Sequence, residues 1–164
     1  MSNLYLPIVR RLVEVGWSVQ ELSQPRPLPE GILARYPGMP SEYRELVESA
    51  GLVSSSDEKA WLNTTCTFSS GVSAYAWNEW EQQSLEAAGK DEELTRTIRR
   101  FWDRHLPILM SVKSGYAHFS LDLETMRVVQ GGEPEYEDIS PLAPSIDEMF
   151  QMVLRRDPRL ERWV

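Results

Sequence analysis

Apolar positions along this chain follow two periods. Over most of its length they recur every three to four residues, whereas between residues 108 and 130 they form short strand-like runs that alternate with polar positions. Near the start, Ile8, Val9, Leu12 and Val15 lie at helical spacing with Gly16 behind them, so residues 3 to 15 are predicted to be an amphipathic helix. Pro7 is tolerable in its first turn. The segment SQPRPLPEGILARYPGMP, residues 23 to 40, is too crowded with proline and glycine for a helix interior or central strand, and reads as an irregular wrapping segment. The next helix is expected to begin near Pro40, to present Tyr43, Leu46, Val47 and Ala50 on one face and to end at Gly51.

From residue 53 to 71 the chain is polar, with isolated Trp61, Leu62 and Phe68, and predicts no more than a short strand or a turn of helix. Residues 75 to 87 read as helical. A stronger helix starts near Asp91: acids come first and arginines later, complementing the helix dipole, with Leu94, Ile98, Phe101 and Trp102 along one stripe.

After Pro107 the period changes. ILMSV is short and apolar. In YAHFSLDL, Ala117, Phe119, Leu121 and Leu123 alternate with Tyr116, His118, Ser120 and Asp122, which predicts one packed face and one wet face. ETM then separates this strand from RVVQ, giving an antiparallel hairpin, and Gly131 and Gly132 release the chain into the acidic run EPEYED, read as a loop. Ser145 and Glu148 form an S-x-x-E capping box ahead of Ile146, Met149, Phe150, Val153 and Leu154, a helical stripe expected to dock on the sheet. No internal repeat is visible.

Composition narrows the function. A chain of 164 residues is the size of one domain, and the prediction is a single domain over residues 1–164. Its 25 acidic and 17 basic residues give a net charge of −8, which disfavours nucleic acid or anionic membrane as a partner and favours a basic protein. Cys66 is the only cysteine, so no intramolecular disulfide is expected. Arg10, Arg11 and Glu14 interrupt the apolar N-terminal stretch before any signal-peptide core or membrane span forms, and the expected location is cytoplasmic.

Three stretches in order carry a resemblance: PGMPSEYRELVESAG, HLPILMSVKSGYAHFSLDLETMRVV and APSIDEMFQMVL. They are similar to the helix-then-glycine opening, the Pro-Ile strand with its Leu-Asp-Leu hairpin, and the Ser-x-x-Glu-Phe closing helix of the SUKH superfamily. That family groups bacterial toxin-immunity proteins with fungal cell-wall-synthesis regulators. The resemblance covers about residues 28 to 154 and leaves 1–27 as an N-terminal helical extension. Met126 stands where the family hairpin usually has glycine. The resemblance implies an α+β fold with a mostly antiparallel sheet flanked by helices, no catalytic residues, and a role in binding another protein. The expected function is therefore an immunity protein that neutralises a toxin domain, such as a nuclease, by direct binding; a scaffold or regulatory module of the same fold is the alternative.

Candidate chemistry is sparse. Paired carboxylates can serve glycoside hydrolysis only when held across a cleft with separated pKa values, and acid-rich loops are usually just solvated. Asp122 and Glu124 lack the following lysine and further ligands that a nuclease metal site needs. His105, His118 and Cys66 have no zinc-ligand spacing, so neither metal nor cofactor is expected. His105 reads as a helix end where an imidazolium would favour the dipole. His118 and Asp122 share a strand face but stand about 13 Å apart at ~3.3 Å per residue, too far for a dyad. No nucleophile elbow surrounds a serine, and no phosphate-binding loop follows a strand. What remains is a partner surface: Glu133, Glu135, Glu137 and Asp138, with Asp122 on the neighbouring hairpin, as an acidic face, and Trp77 and Trp80 as aromatic anchors.

Overall fold

The strand-period segments form the centre of an α+β fold. The structure, a computed structural model, describes residues 4–69 and 74–164. Among these, seven strands lie side by side in chain order and every neighbouring pair is antiparallel. They are β1 (Ser18–Glu21), β2 (Ala50–Ser54), β3 (Ala60–Leu62), β4 (His105–Ser111), β5 (Ala117–Asp122), β6 (Val128–Gly132) and β7 (Glu135–Ala143). The helices are α1 (Leu6–Arg11), α2 (Glu30–Arg35), α3 (Ser41–Ser49), α4 (Thr65–Phe68), α5 (Glu79–Ala88), α6 (Glu92–Arg104) and α7 (Ile146–Leu154), with 3-10 turns at Leu12–Val15 and Pro158–Leu160.

Alternation along the central strands divides the apolar residues between two cores. On one face Leu109, Phe119, Leu121 and Val128 pack with α1, α3 and α7 through Val9, Tyr43, Leu46, Val47, Met149 and Phe150. On the other, Met110 and Tyr136 pack with Trp80 and Ala88 of α5 and Ile98 and Trp102 of α6. Local signals place the covering helices. Gly16 takes φ +91 and closes the 3-10 turn that ends the first helix. The Asp91 side chain accepts from the Leu94 N–H at 3.0 Å and caps α6, whose last turn carries Arg104. Ser145 caps α7 by accepting from the Glu148 N–H at 3.1 Å, while the Glu148 carboxylate turns to Arg155 at 2.7 Å.

Several expectations need correction. The face of β5 expected to be wet is covered by the α5–α6 pair, and all six β5 residues are buried. Its polar groups survive burial because each is partnered. The Tyr136 carbonyl can only accept, so His118 donates Nε2–H to it at 2.8 Å, and His118 Nδ1 accepts the Ser120 hydroxyl at 2.8 Å. Gly131 permits this approach: a Cβ there would lie 2.6 Å from the Tyr136 O and 2.8 Å from His118 Nε2. Gly131 and Gly132 therefore belong to a strand, and the acidic run beyond them enters β7 after a two-residue turn. The predicted helix after Pro40 ends at Ser49, and Ala50 and Gly51 already belong to β2.

The polar stretch after residue 53 is folded into the interior. Asn63, Thr64 and Thr65 are fully buried. Thr64 donates its hydroxyl to the Gly51 O at 2.7 Å and caps α4 reciprocally with Thr67, while Asn63 donates to the Pro107 O at 3.2 Å. A buried polar group is tolerated when hydrogen-bonded, so this segment joins the core without an apolar pattern to announce it.

Candidate partner-binding surface

Among the described residues β7 is the terminal strand of the sheet, and its outer backbone groups have no neighbouring strand. Charges and proline on such an edge discourage unwanted strand pairing, and Glu135, Asp138 and Pro141 are exposed along it. Glu133, in the turn before the strand, is exposed as well. Among the described residues the carboxylates of Glu133, Glu135 and Asp138 have no hydrogen-bond or ion-pair partner.

The other members of the expected acidic face do different work. Glu137 is half-buried; its Oε1 accepts from the Trp102 indole at 2.8 Å and its Oε2 from the Ser84 hydroxyl at 3.1 Å. Asp122 has a side chain only 8% exposed and receives both Nε and Nη2 of Arg104 at 2.8 Å. That guanidinium holds its carboxyl well below the usual carboxylate range. Asp122 also lies at the far end of β5 from Ala117, which pairs with Gly132, so roughly 17 Å of strand separates it from the β6–β7 turn. His105, the expected imidazolium, is buried beside Phe101 and donates Nδ1–H to the Phe101 O at 2.8 Å; burial lowers its pKa and favours the neutral ring.

Neither tryptophan is a free anchor. Trp80 is 1% exposed, stacked between Tyr116 (ring centroids 4.7 Å apart) and Tyr136 (5.4 Å), and it donates its indole N–H to the Ala117 O at 3.0 Å. Losing it would cost folding about 3–5 kcal/mol, the usual range for a core Trp→Ala, before any binding effect could be read. Trp77 is half-buried against Tyr36 and Phe68, with the Arg35 guanidinium 5.7 Å from its ring. Arg35 is in turn committed to buried Glu81 through two 2.8 Å bonds.

Trp61, Tyr75 and Tyr116 are half-exposed, as Trp77 is, and form a contiguous group. Trp61 stacks on Tyr75 at 5.8 Å, and Tyr75 meets Tyr116 edge-on at 5.7 Å. The Tyr116 hydroxyl is held above its ordinary pKa first by its hydrogen bond with Tyr75 and then by neighbouring Glu133 and Glu79. The alternation of residues 116 to 123 puts Tyr116 on this face; Trp61 comes from a segment with no readable period, and Tyr75 from the start of residues 75 to 87, read as helical, where the helix begins only at Glu79. A second charge feature was hidden by the net charge. Lys90, Arg96, Arg99 and Arg100 are exposed at the start and along α6 and unpaired among the described residues, but exposed Asp91, Glu92 and Glu93 stand at the start of the same helix, so the surface there is of mixed sign.

For other chemistry the arrangement offers little. A recess of about 500 Å³ is lined by Trp17, Asp57, Lys113, Met152 and Arg156 among others. Asp57 is already engaged by the Ser55 hydroxyl at 2.6 Å and the Lys59 N–H at 3.1 Å, and Lys113 by the Val164 O at 3.1 Å. Among the described residues no three His, Cys, Asp or Glu side chains gather closely enough to hold a metal ion, and no helix is long and apolar enough to cross a membrane. The serine run SSG at residues 69 to 71, which lacks the first glycine of a nucleophile elbow, lies partly outside the described residues.

Fold and surface together define an α+β protein built on one antiparallel sheet in chain order, with a half-exposed aromatic group beside an acidic edge. No family model, no curated protein and no solved structure matches the chain.

Proposed function

We propose that this protein is a non-enzymatic binding module of the SUKH kind, an immunity protein that neutralises a basic toxin domain by covering it. The observation that carries the reading is the unneutralised carboxylate of Glu133 beside half-exposed Tyr116, at the head of an edge strand that also exposes Glu135 and Asp138. Aromatic side chains supply much of the affinity at interfaces, and rim carboxylates speed encounter with a basic surface such as a nuclease groove. The three stretches similar to the family lie on α3, on the β4–β5–β6 meander and on α7, inside one continuous body. In this reading the protein works in the cytoplasm, where buried Cys66 stays reduced.

A scaffold or regulatory module of the same fold is the second reading. It is favoured by the exposed, unpaired cations Arg96, Arg99 and Arg100 of α6, which offer contacts to a second partner away from the acidic edge.

Affinity capture of the tagged protein from its native cell, followed by co-expression with whatever is captured, separates the readings. The immunity reading expects a basic partner whose toxicity is lost on co-expression and which forms a stoichiometric complex. Capture of non-toxic proteins only, or a toxic partner whose toxicity persists in the complex, contradicts it.

A further inference from the structure

Two carboxylates that have no cation of their own neighbour the surface ring Tyr116: Glu133, whose N–H binds the Tyr116 carbonyl, and Glu79. Among the described residues no Lys or Arg of this chain pairs with Glu79 or Glu133, although ion pairs are common elsewhere on the molecule. Both carboxylates are nevertheless held in place. Glu79 Oε2 accepts from the Ala76 N–H at 3.1 Å. Glu133 is drawn in by its backbone N–H, which donates to the Tyr116 O at 2.9 Å, and its carboxylate rests against Gly115, where a Cβ would stand 2.8 Å from Oε1. Gly115 has φ +89, a conformation that only glycine adopts readily.

The rings are fixed as firmly. Tyr116, buried Trp80 and buried Tyr136 form a stack whose successive planes are inclined by 18° and 13°, and the Tyr136 hydroxyl is anchored by donating to Gln83 at 2.7 Å. A preformed aromatic surface loses little side-chain freedom when something settles on it. Negative charge beside the faces of Tyr and Trp is the chemistry that attracts a cation.

We propose that the ring cluster of Trp61, Tyr75 and Tyr116, with Glu79 and Glu133 beside Tyr116, forms a notch that receives an arginine side chain of the protein partner. The inference rests on the reading above that this partner is a basic protein. Arginine fits better than lysine because its guanidinium is flat, weakly hydrated and able to stack on a ring while its edge donates to a carboxylate. Lysine offers a compact, strongly hydrated charge that gives up more water on entering an aromatic site.

The test uses the full chain and two probes, the capped tripeptides acetyl-Gly-Arg-Gly-amide and acetyl-Gly-Lys-Gly-amide, titrated at low ionic strength with amide and indole NMR signals as readout. The arginine peptide should shift the Tyr116 and Gly115 amides and the Trp80 indole N–H saturably, and the lysine peptide should bind more weakly. In Glu79→Gln/Glu133→Gln, which keeps the side-chain shapes, arginine-peptide binding should weaken by about tenfold with an unchanged melting temperature. Tyr116→Leu should weaken it too; if that variant fails to fold, the glutamine pair alone decides.

Absence of localised shifts, equal binding by the double variant, or lysine binding as tightly as arginine overturns the notch. Failure of the notch and failure of the function stay distinct. A captured basic toxin that is neutralised equally by the double variant leaves the function standing and removes the notch, whereas a notch that takes the arginine peptide in a protein that captures no toxin does the reverse.

Discussion

Trp102 donates its indole N–H to Glu137 Oε1 at 2.8 Å, tying α6 to the edge strand through an acid that looks from the sequence like one of a solvated row. The Ser84 hydroxyl binds the other oxygen, so α5 is held to the same residue. Removing the acceptor strands a buried indole N–H, and Glu137→Ala is expected to lower unfolding free energy by about 1–3 kcal/mol. Glu135→Ala, two residues away and exposed, should change it by less than about 0.5 kcal/mol. Denaturant titrations of the two variants check the contrast; equal midpoints would return Glu137 to the solvated row.

Met126 adopts φ +60 in the turn between β5 and β6, and its side chain is 40% exposed. A left-handed backbone penalises any residue with a Cβ, so Met126→Gly should be neutral or stabilising by up to about 1 kcal/mol, the gain being offset in part by the freer unfolded chain. Met126→Ala retains the penalty and should bring no gain. A clear loss of stability in Met126→Gly would show that the methionine side chain contributes packing that outweighs the strain.

His118 is 0% exposed and neutral in the fold, where burial pushes its pKa down to about 4. The unfolded chain takes up this proton near the ordinary value of 6.5, and burial lowers the pKa of His105 in the same direction. A depressed folded pKa means the contribution is fully present above pH 6.5 and is lost as pH falls through the window down to about 4. Within it, stability should decline by about 1.4 kcal/mol per pH unit for each proton that only the unfolded state binds. Chemical denaturation at intervals from neutral pH to the foot of that window measures the slope, and a flat profile would contradict the buried neutral imidazole.

The parts of the fold legible in the sequence are those where one face is apolar and the other is water. α3, α6 and α7 fit that description, and the β5–β6 hairpin is legible as a pair of strands from its alternation although both faces of β5 are covered. β2, β3 and α4 do not, because they are short and are buried through Asn63, Thr64 and Thr67, whose mutual hydrogen bonds replace an apolar pattern. The same reason hid the second core: His118, Ser120 and Asp122 look like a wet face until α5 and α6 cover them and supply partners such as Arg104. Of the candidate surface, Glu133, Glu135 and Asp138 were readable as unneutralised charge, while Asp122, Glu137 and Trp80 carry the same chemical signature and are used inside. Local sequence contains no sign of which acid will meet a buried donor, since Arg104 and Trp102 reach their acids across 18 and 35 residues.

The central claim, that the acidic edge steers a basic partner, is tested most directly by association kinetics of the captured partner as ionic strength is varied. The comparison is between the natural chain and a Glu133→Gln/Glu135→Gln/Asp138→Asn variant, which leaves Glu137 and Asp122 in their structural roles. At low salt the variant should associate about tenfold more slowly, with a flatter dependence on salt and an unchanged melting temperature. Equal association rates and equal salt slopes would contradict the account and move the interface to another face, with the exposed arginines of α6 the next to examine.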